Sequence, residues 1–81
     1  MRLNDLVTYL DRRPFLPVRL HMSDGSHYDI RHPEMVFLLK QGLEIGIPRR
    51  EGSREIDELI WCAYIHIVRI EAILRKSSQV A

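Results

Sequence analysis

A single cysteine, Cys62, excludes an internal disulfide, so nothing covalent holds this chain together. Flanked by Trp61 and Ala63, it reads as a small buried hydrophobe rather than a reactive thiol. An excess of one charge is also missing. Twelve Lys and Arg against eleven Asp and Glu leave a formal net charge of +1. A surface so balanced has no long-range field to draw in a polyanion, which argues against a dedicated nucleic-acid binder. Aromatics are few, with one Trp, three Tyr and two Phe, and a core of this size needs several of them. Long apolar runs are absent too. The longest, Met35–Leu39 and Leu59–Ile65, are far too short to cross a bilayer as a helix. The first thirteen residues carry acids inside what would be the apolar region of a signal peptide, and no small-residue cleavage site follows. The expectation is a cytoplasmic protein with no membrane partner. No glycine pattern resembles a phosphate-binding loop, and no Cys, His and acid spacing makes a metal site. Nothing assembles a nucleophile, a base and an oxyanion donor, so no enzyme and no cofactor are expected.

What is present is an ordinary globular composition, 46% hydrophobic and 28% charged, in 81 residues that make one domain, 1–81. Leu3, Leu6, Val7 and Leu10 recur at i, i+3, i+4 and i+7, one apolar stripe of a helix within 1–13. Asn4 or Asp5 is placed to cap its start, and Arg12 and Arg13 sit at its negative end before Pro14 stops it.

The stretch 17–31 predicts a hairpin. Val18, Leu20 and Met22 alternate with Arg19 and His21, and Tyr28 and Ile30 alternate with His27, Asp29 and Arg31. A two-residue Asp24-Gly25 turn would mix apolar and polar faces. A three-residue Ser23-Asp24-Gly25 turn, with Gly25 left-handed, pairs Leu20 with Tyr28, Val18 with Ile30, Arg19 with Asp29 and His21 with His27. Pro33 then breaks the ladder. A second hairpin follows over 35–48, its first strand apolar on both faces through Met35–Lys40, its second alternating at Leu43, Ile45 and Ile47. That first strand has more apolar surface than one face buries, so the helix or another subunit must cover the remainder. Residues 49–57 form a charged loop, 58–73 the closing strands and 77–81 a frayed tail. Segment 55–75 also fits a helix, since Ile56, Ile60, Ala63, Ile67, Ile70 and Leu74 lie at helical spacing. Its β-branched density favours strands over Leu59–Ala63 and Ile67–Ala72, with a bend at Tyr64–His66.

The fold class expected is mainly β (α+β), an N-terminal helix followed by a strongly bent antiparallel sheet of about five strands forming a partly open barrel. Its candidate sites are sparse. His21 and His27 are predicted neighbours on the solvent face and read as solvated surface histidines, with a mild destabilisation by repulsion below about pH 6 as a further consequence. His32-Pro33-Glu34 reads as a bend. Arg31, His32, Lys40, Arg49, Arg50 and Arg54 are the candidate contacts to a nucleic acid or partner. Met35, Val36 and Leu38 are the candidate oligomer surface.

The segment Pro14-Phe15-Leu16-Pro17-Val18-Arg19, with Ser23-Asp24-Gly25 and His32-Pro33-Glu34, resembles a family of short uncharacterised bacterial proteins sharing this pattern. That resemblance implies no activity. The order of elements, with Val36–Lys40 as a third strand and Ile65–Ile70 as a closing strand, is also similar to the Sm-like bacterial RNA chaperones. These are rings of small barrels of the Sm or SH3-like kind. The usual second-strand glycine is absent here, Met35 stands where their base-stacking aromatic lies, and Tyr64-Ile65 replaces their Lys-His pair. The resemblance thus implies the barrel without its RNA site. Two functions follow: a non-catalytic interaction module that self-associates or docks another protein, and an Sm-like ring binding single-stranded RNA. The neutral charge favours the first.

Overall fold

In the computed structural model, which describes residues 2–73, each sheet exists because every strand turns one apolar face to a shared core. Helix α1 spans Leu3–Leu10 and is followed by strands β1 (Val18–Met22), β2 (His27–Ile30), β3 (Val36–Leu38), β4 (Gly42–Pro48), β5 (Ile56–Ala63) and β6 (Ile67–Ala72). They form two three-stranded antiparallel sheets, ordered β2-β1-β6 and β3-β4-β5. The single bent sheet of about five strands is corrected to six strands in two sheets. The physical reason is a pair of corners. Pro33–Met35 forms a 3-10 turn between β2 and β3, where Pro33 lacks a ladder donor. Tyr64–His66 forms another between β5 and β6. The helical alternative for 55–75 is overturned through residue 72, because β5 pairs with β4 and β6 with β1. The tail 77–81 lies outside the described residues.

The β1–β2 hairpin has the register that its alternation predicts, with Val18 opposite Ile30, Arg19 opposite Asp29, Leu20 opposite Tyr28 and His21 opposite His27. Gly25 turns at φ 92°, a left-handed conformation that costs a side-chain-bearing residue 1–2 kcal/mol or so, about nothing for glycine. Asp24 Oδ1 accepts from the Ser26 N–H at 2.9 Å and from its hydroxyl at 2.6 Å, which locks the turn. The charged loop is shorter than 49–57, since Ile56 already pairs with Pro48 and the Arg49 N–H donates to the Glu55 carbonyl at 2.9 Å.

Helix α1 is two turns long and begins at Leu3, so Asn4 and Asp5 lie inside the first turn and no side chain caps Arg2. Asp5 still places a carboxylate at the positive end. Beyond the other end, Arg13 donates from Nη1 to the Leu10 carbonyl at 3.0 Å. Leu6 and Leu10 enter one core with Val18, Leu20, Ile30, Leu43, Ile45, Cys62, Tyr64 and Ile67. Burial pushes the Cys62 thiol up, which disfavours the thiolate. Tyr64 fastens the second corner to the β3–β4 turn: its hydroxyl donates to the Leu39 carbonyl at 2.7 Å and its N–H to that of Gln41 at 3.1 Å.

Candidate interaction surface

The outward faces of the two sheets differ in chemistry. On β2-β1-β6, Arg19 meets Asp29 through two hydrogen bonds, Nε to Oδ1 at 2.7 Å and Nη2 to Oδ2 at 3.2 Å. Arg31 adds a contact to Asp29 at 3.5 Å, and Glu71 lies 2.8 Å from His21. This face satisfies its own charges. The Arg19 guanidinium holds the Asp29 carboxyl below the usual carboxylate range, and the His21 hydrogen bond does the same for Glu71. A carboxyl depressed in the folded state stabilises that state above its ordinary value, and the contribution is lost as pH falls through the depressed one. Asp29→Asn should therefore be less stable than wild type at neutral pH, and the gap should close towards about pH 3. Urea titrations at both pH values check this; a gap independent of pH would exclude the ion pair as its source.

The His21 and His27 ring centroids are 6.0 Å apart, as neighbours on this face. The expected repulsion is incomplete as an account, because Glu71 supplies a counter-charge to a protonated His21. Sequence alone could not see it: the carboxylate arrives from β6, fifty residues away. Among the described residues no three His, Cys, Asp or Glu side chains cluster to hold a metal ion.

On β3-β4-β5 the alternation sends Leu43 and Ile45 inward, opposite Cys62 and Ile60. Facing outward are Phe37 and Leu39 on the β3 side and Leu59 and Trp61 on β5, exposed by 46%, 48%, 55% and 49%. Between them the central strand presents Gly42, Glu44 and Gly46. A Cβ on Gly42 would meet two ring carbons of Trp61 at 2.8 Å and also the Cys62 carbonyl oxygen; on Gly46 it would meet the tip of Ile56 at 3.4 Å. The glycines let Trp61 and Ile56 lie down across β4, making a low apolar surface. Trp61 also borders a cleft of about 300 Å³ with Met22, Ser23 and His66. There the Ser23 N–H donates to the His66 carbonyl at 2.8 Å, tying the first hairpin to the second corner.

The surplus apolar surface of the third strand is thus divided. Val36 packs on the core and Leu38, though 41% exposed, shares a cleft with Val7 and Leu10 of the helix. Met35 sits in the 3-10 turn, its carbonyl 3.5 Å from the Cβ position of Gly46. Of the oligomer surface named from sequence, then, Val36 and Leu38 lie on the helix side and Met35 at the corner. The outward face of the same strand belongs to Phe37 and Leu39. Leu59 and Trp61 were missed because the sequence, apolar throughout Leu59–Ala63, does not say which face of β5 the core covers. The usable signal was their spacing of two, opposite in phase to Ile60 and Cys62.

The basic candidates separate into two places. His32 Nε2 lies 3.0 Å from the Glu51 carboxylate, which accepts its N–H, and this brings Arg31 and His32 to the loop holding Arg49, Arg50 and Arg54. Lys40 lies at the opposite end of β4, about 20 Å away at 3.3 Å per residue. Carboxylates also intervene, with Asp29 beside Arg31 and Glu55 within 3.9 Å of Arg49. A rim neutralised this way offers little to a phosphate backbone. His32 and Glu34 approach to 3.9 Å on open surface, their side chains 39% and 69% exposed, which suits a bend and not acid–base chemistry.

The fold and this surface define a small, mainly β domain with one charged face and one apolar face. Comparison with protein-family models, with curated proteins and with solved structures found no match for this chain. No helix among the described residues is long and apolar enough to cross a membrane.

Proposed function

We propose that the protein is a non-catalytic interaction module, a partly open barrel-like pair of sheets that associates with further copies of itself. The observation that carries this reading is the outward face of β3-β4-β5, where Phe37, Leu39, Leu59 and Trp61 surround two glycines. Apolar side chains scattered singly on a surface need no explanation, but four gathered on one flat sheet face mark an association site. The opposite sheet is occupied by its own ion pairs, and Val68 is the one large hydrophobe exposed on its strands among the described residues. Light scattering should give a mass that is a multiple of 9.6 kDa. Leu59→Lys should lower it towards one chain with an unchanged circular dichroism spectrum, because Leu59 lies outside the core. A wild type that stays at one chain mass overturns the reading. So does binding of single-stranded RNA that weakens steeply with salt, which would favour the ring of RNA-binding subunits.

A further inference from the structure

Among the described residues, four strand edges lie at the ends of the two sheets: β2 and β6 in one, β3 and β5 in the other. An open edge is a template for another strand, and proteins protect edges by shortness, charge, proline or a bulge. Three of these are protected. β2 has four residues and β3 three. β6 is broken by a register shift opposite His21 and Met22, and it carries Arg69 and Glu71. β5 is different. It runs for eight residues, its pairing with β4 is unbroken from Glu58 to Ala63, and Leu59–Ala63 contains neither charge nor proline.

We propose that this edge takes the β5 strand of a second copy, added antiparallel about a two-fold axis at Ile60, so that two three-stranded sheets become one of six. The proposal rests on the self-association reading above and places one seam of it at the β5 edge, where Leu59 and Trp61 meet the second copy, while Phe37 and Leu39 lie at the far side of the sheet. Side chains alternate between faces, so an antiparallel pair keeps like faces together only in every second register. With the axis at Ile60, Leu59 lies opposite the second copy's Trp61, and Trp61 opposite its Leu59. Both residues belong to the outward apolar face, and an aliphatic–aromatic cross-strand pair is among the favourable ones. Moving the axis to Leu59 would set Asp57 against Trp61 instead.

Charge selects the direction. Asp57 and Glu58 occupy the start of β5. Antiparallel pairing sends the two acidic ends apart, the Glu58 residues being four positions removed along the strand, about 14 Å. That exceeds a screening length of about 8 Å at physiological salt. A parallel pair would set each acid beside its own copy, where like charges repel. β6 makes the poorer recipient for the same edge, since its bulge breaks the ladder and its charges are engaged with His21.

Two measurements decide the matter. In the native chain, alternate β5 amides point away from β4 and exchange freely while that edge is open. When nine-tenths of the chains are paired, those within Leu59–Cys62 should exchange about tenfold more slowly, with the β6 edge unchanged. Independently, in a Cys62→Ala background, a mixture of Leu59→Cys and Trp61→Cys chains should oxidise to a mixed disulfide dimer in higher yield than either alone. Directly facing Cβ atoms approach to about 4.5 Å in the closer cross-strand pairs, the upper end of what that bond spans. An oligomer whose β5 amides exchange unchanged overturns this pairing and leaves self-association standing. The same holds if Trp61→Cys cross-links to Val68→Cys, which would mark head-to-tail association. A wild type that stays a single chain overturns both.

Discussion

Leu20→Ala should lower the stability of this domain by about 2–5 kcal/mol, the range for truncating a buried leucine. Leu20 is fully buried at the middle of β1, the central strand of its sheet, with Tyr28 opposite on one side and Ile70 on the other. Removing its isobutyl tip leaves a void that two paired strands resist closing, so the transfer and cavity penalties add. A chain of this length has a total stability on the order of 4–12 kcal/mol, so the loss is a large fraction of the whole. The melting temperature should fall by about 10 °C or more. Val68→Ala is the matched control. Val68 is 61% exposed where the β1–β6 register shifts, and its truncation should stay within about 0.5 kcal/mol. Thermal melts of the two variants check the placement of the core, and equal losses would contradict it.

Gly42→Ala should also destabilise, by about 1–3 kcal/mol, although alanine ordinarily improves on glycine in a strand. The added methyl collides with the Trp61 ring and with the Cys62 backbone oxygen. A ring can rotate away, but the carbonyl belongs to the β4–β5 ladder and moves only if that ladder moves. A Gly42→Ala, Trp61→Ala double variant should therefore recover part of the loss, the carbonyl clash remaining. Gly46→Ala provides the contrast, because its nearest neighbour is the flexible tip of Ile56 at 3.4 Å. It should be close to neutral. Trp61 is the one tryptophan, so its fluorescence reports the displacement directly. An unshifted emission and an unchanged melt in Gly42→Ala would show that the ring does not lie across β4.

These two positions mark how far the sequence could be read. Leu20 is legible locally: strict alternation on both sides of Ser23-Asp24-Gly25 allows one register, and a slip of one residue would turn every core side chain to water. The role of Gly42 is not. It reads as a turn residue after Gln41, while its tightest constraint comes from Trp61, nineteen positions later and on another strand. The same limit hid the apolar face. The both-sided hydrophobicity of Met35–Lys40 is visible in the sequence and announces that something must cover it. Which half the helix would approach depended on where α1 lands, beside Leu38 and away from Phe37. The basic rim was legible in part for a related reason: Glu51 and Glu55 look like interruptions in a run, but in space they are the partners of His32 and Arg49.

By itself the sequence determined the local elements: the N-terminal helix, the bulged first hairpin and its pairs, the proline-broken corner and the strand-rich end. Each is set by interactions between near neighbours, by side-chain periodicity and by the backbone limits of proline and glycine. The tertiary structure alone decided that two sheets form rather than one, that β5 is an end strand of its sheet among the described residues, and that charges collect on one face and hydrophobes on the other. Those outcomes depend above all on the pairing of β1 with β6, strands from opposite ends of the chain, while β3, β4 and β5 pair in chain order into a sheet of their own. A strand's own residues do not encode which neighbour it will have, because every backbone offers the same donors and acceptors.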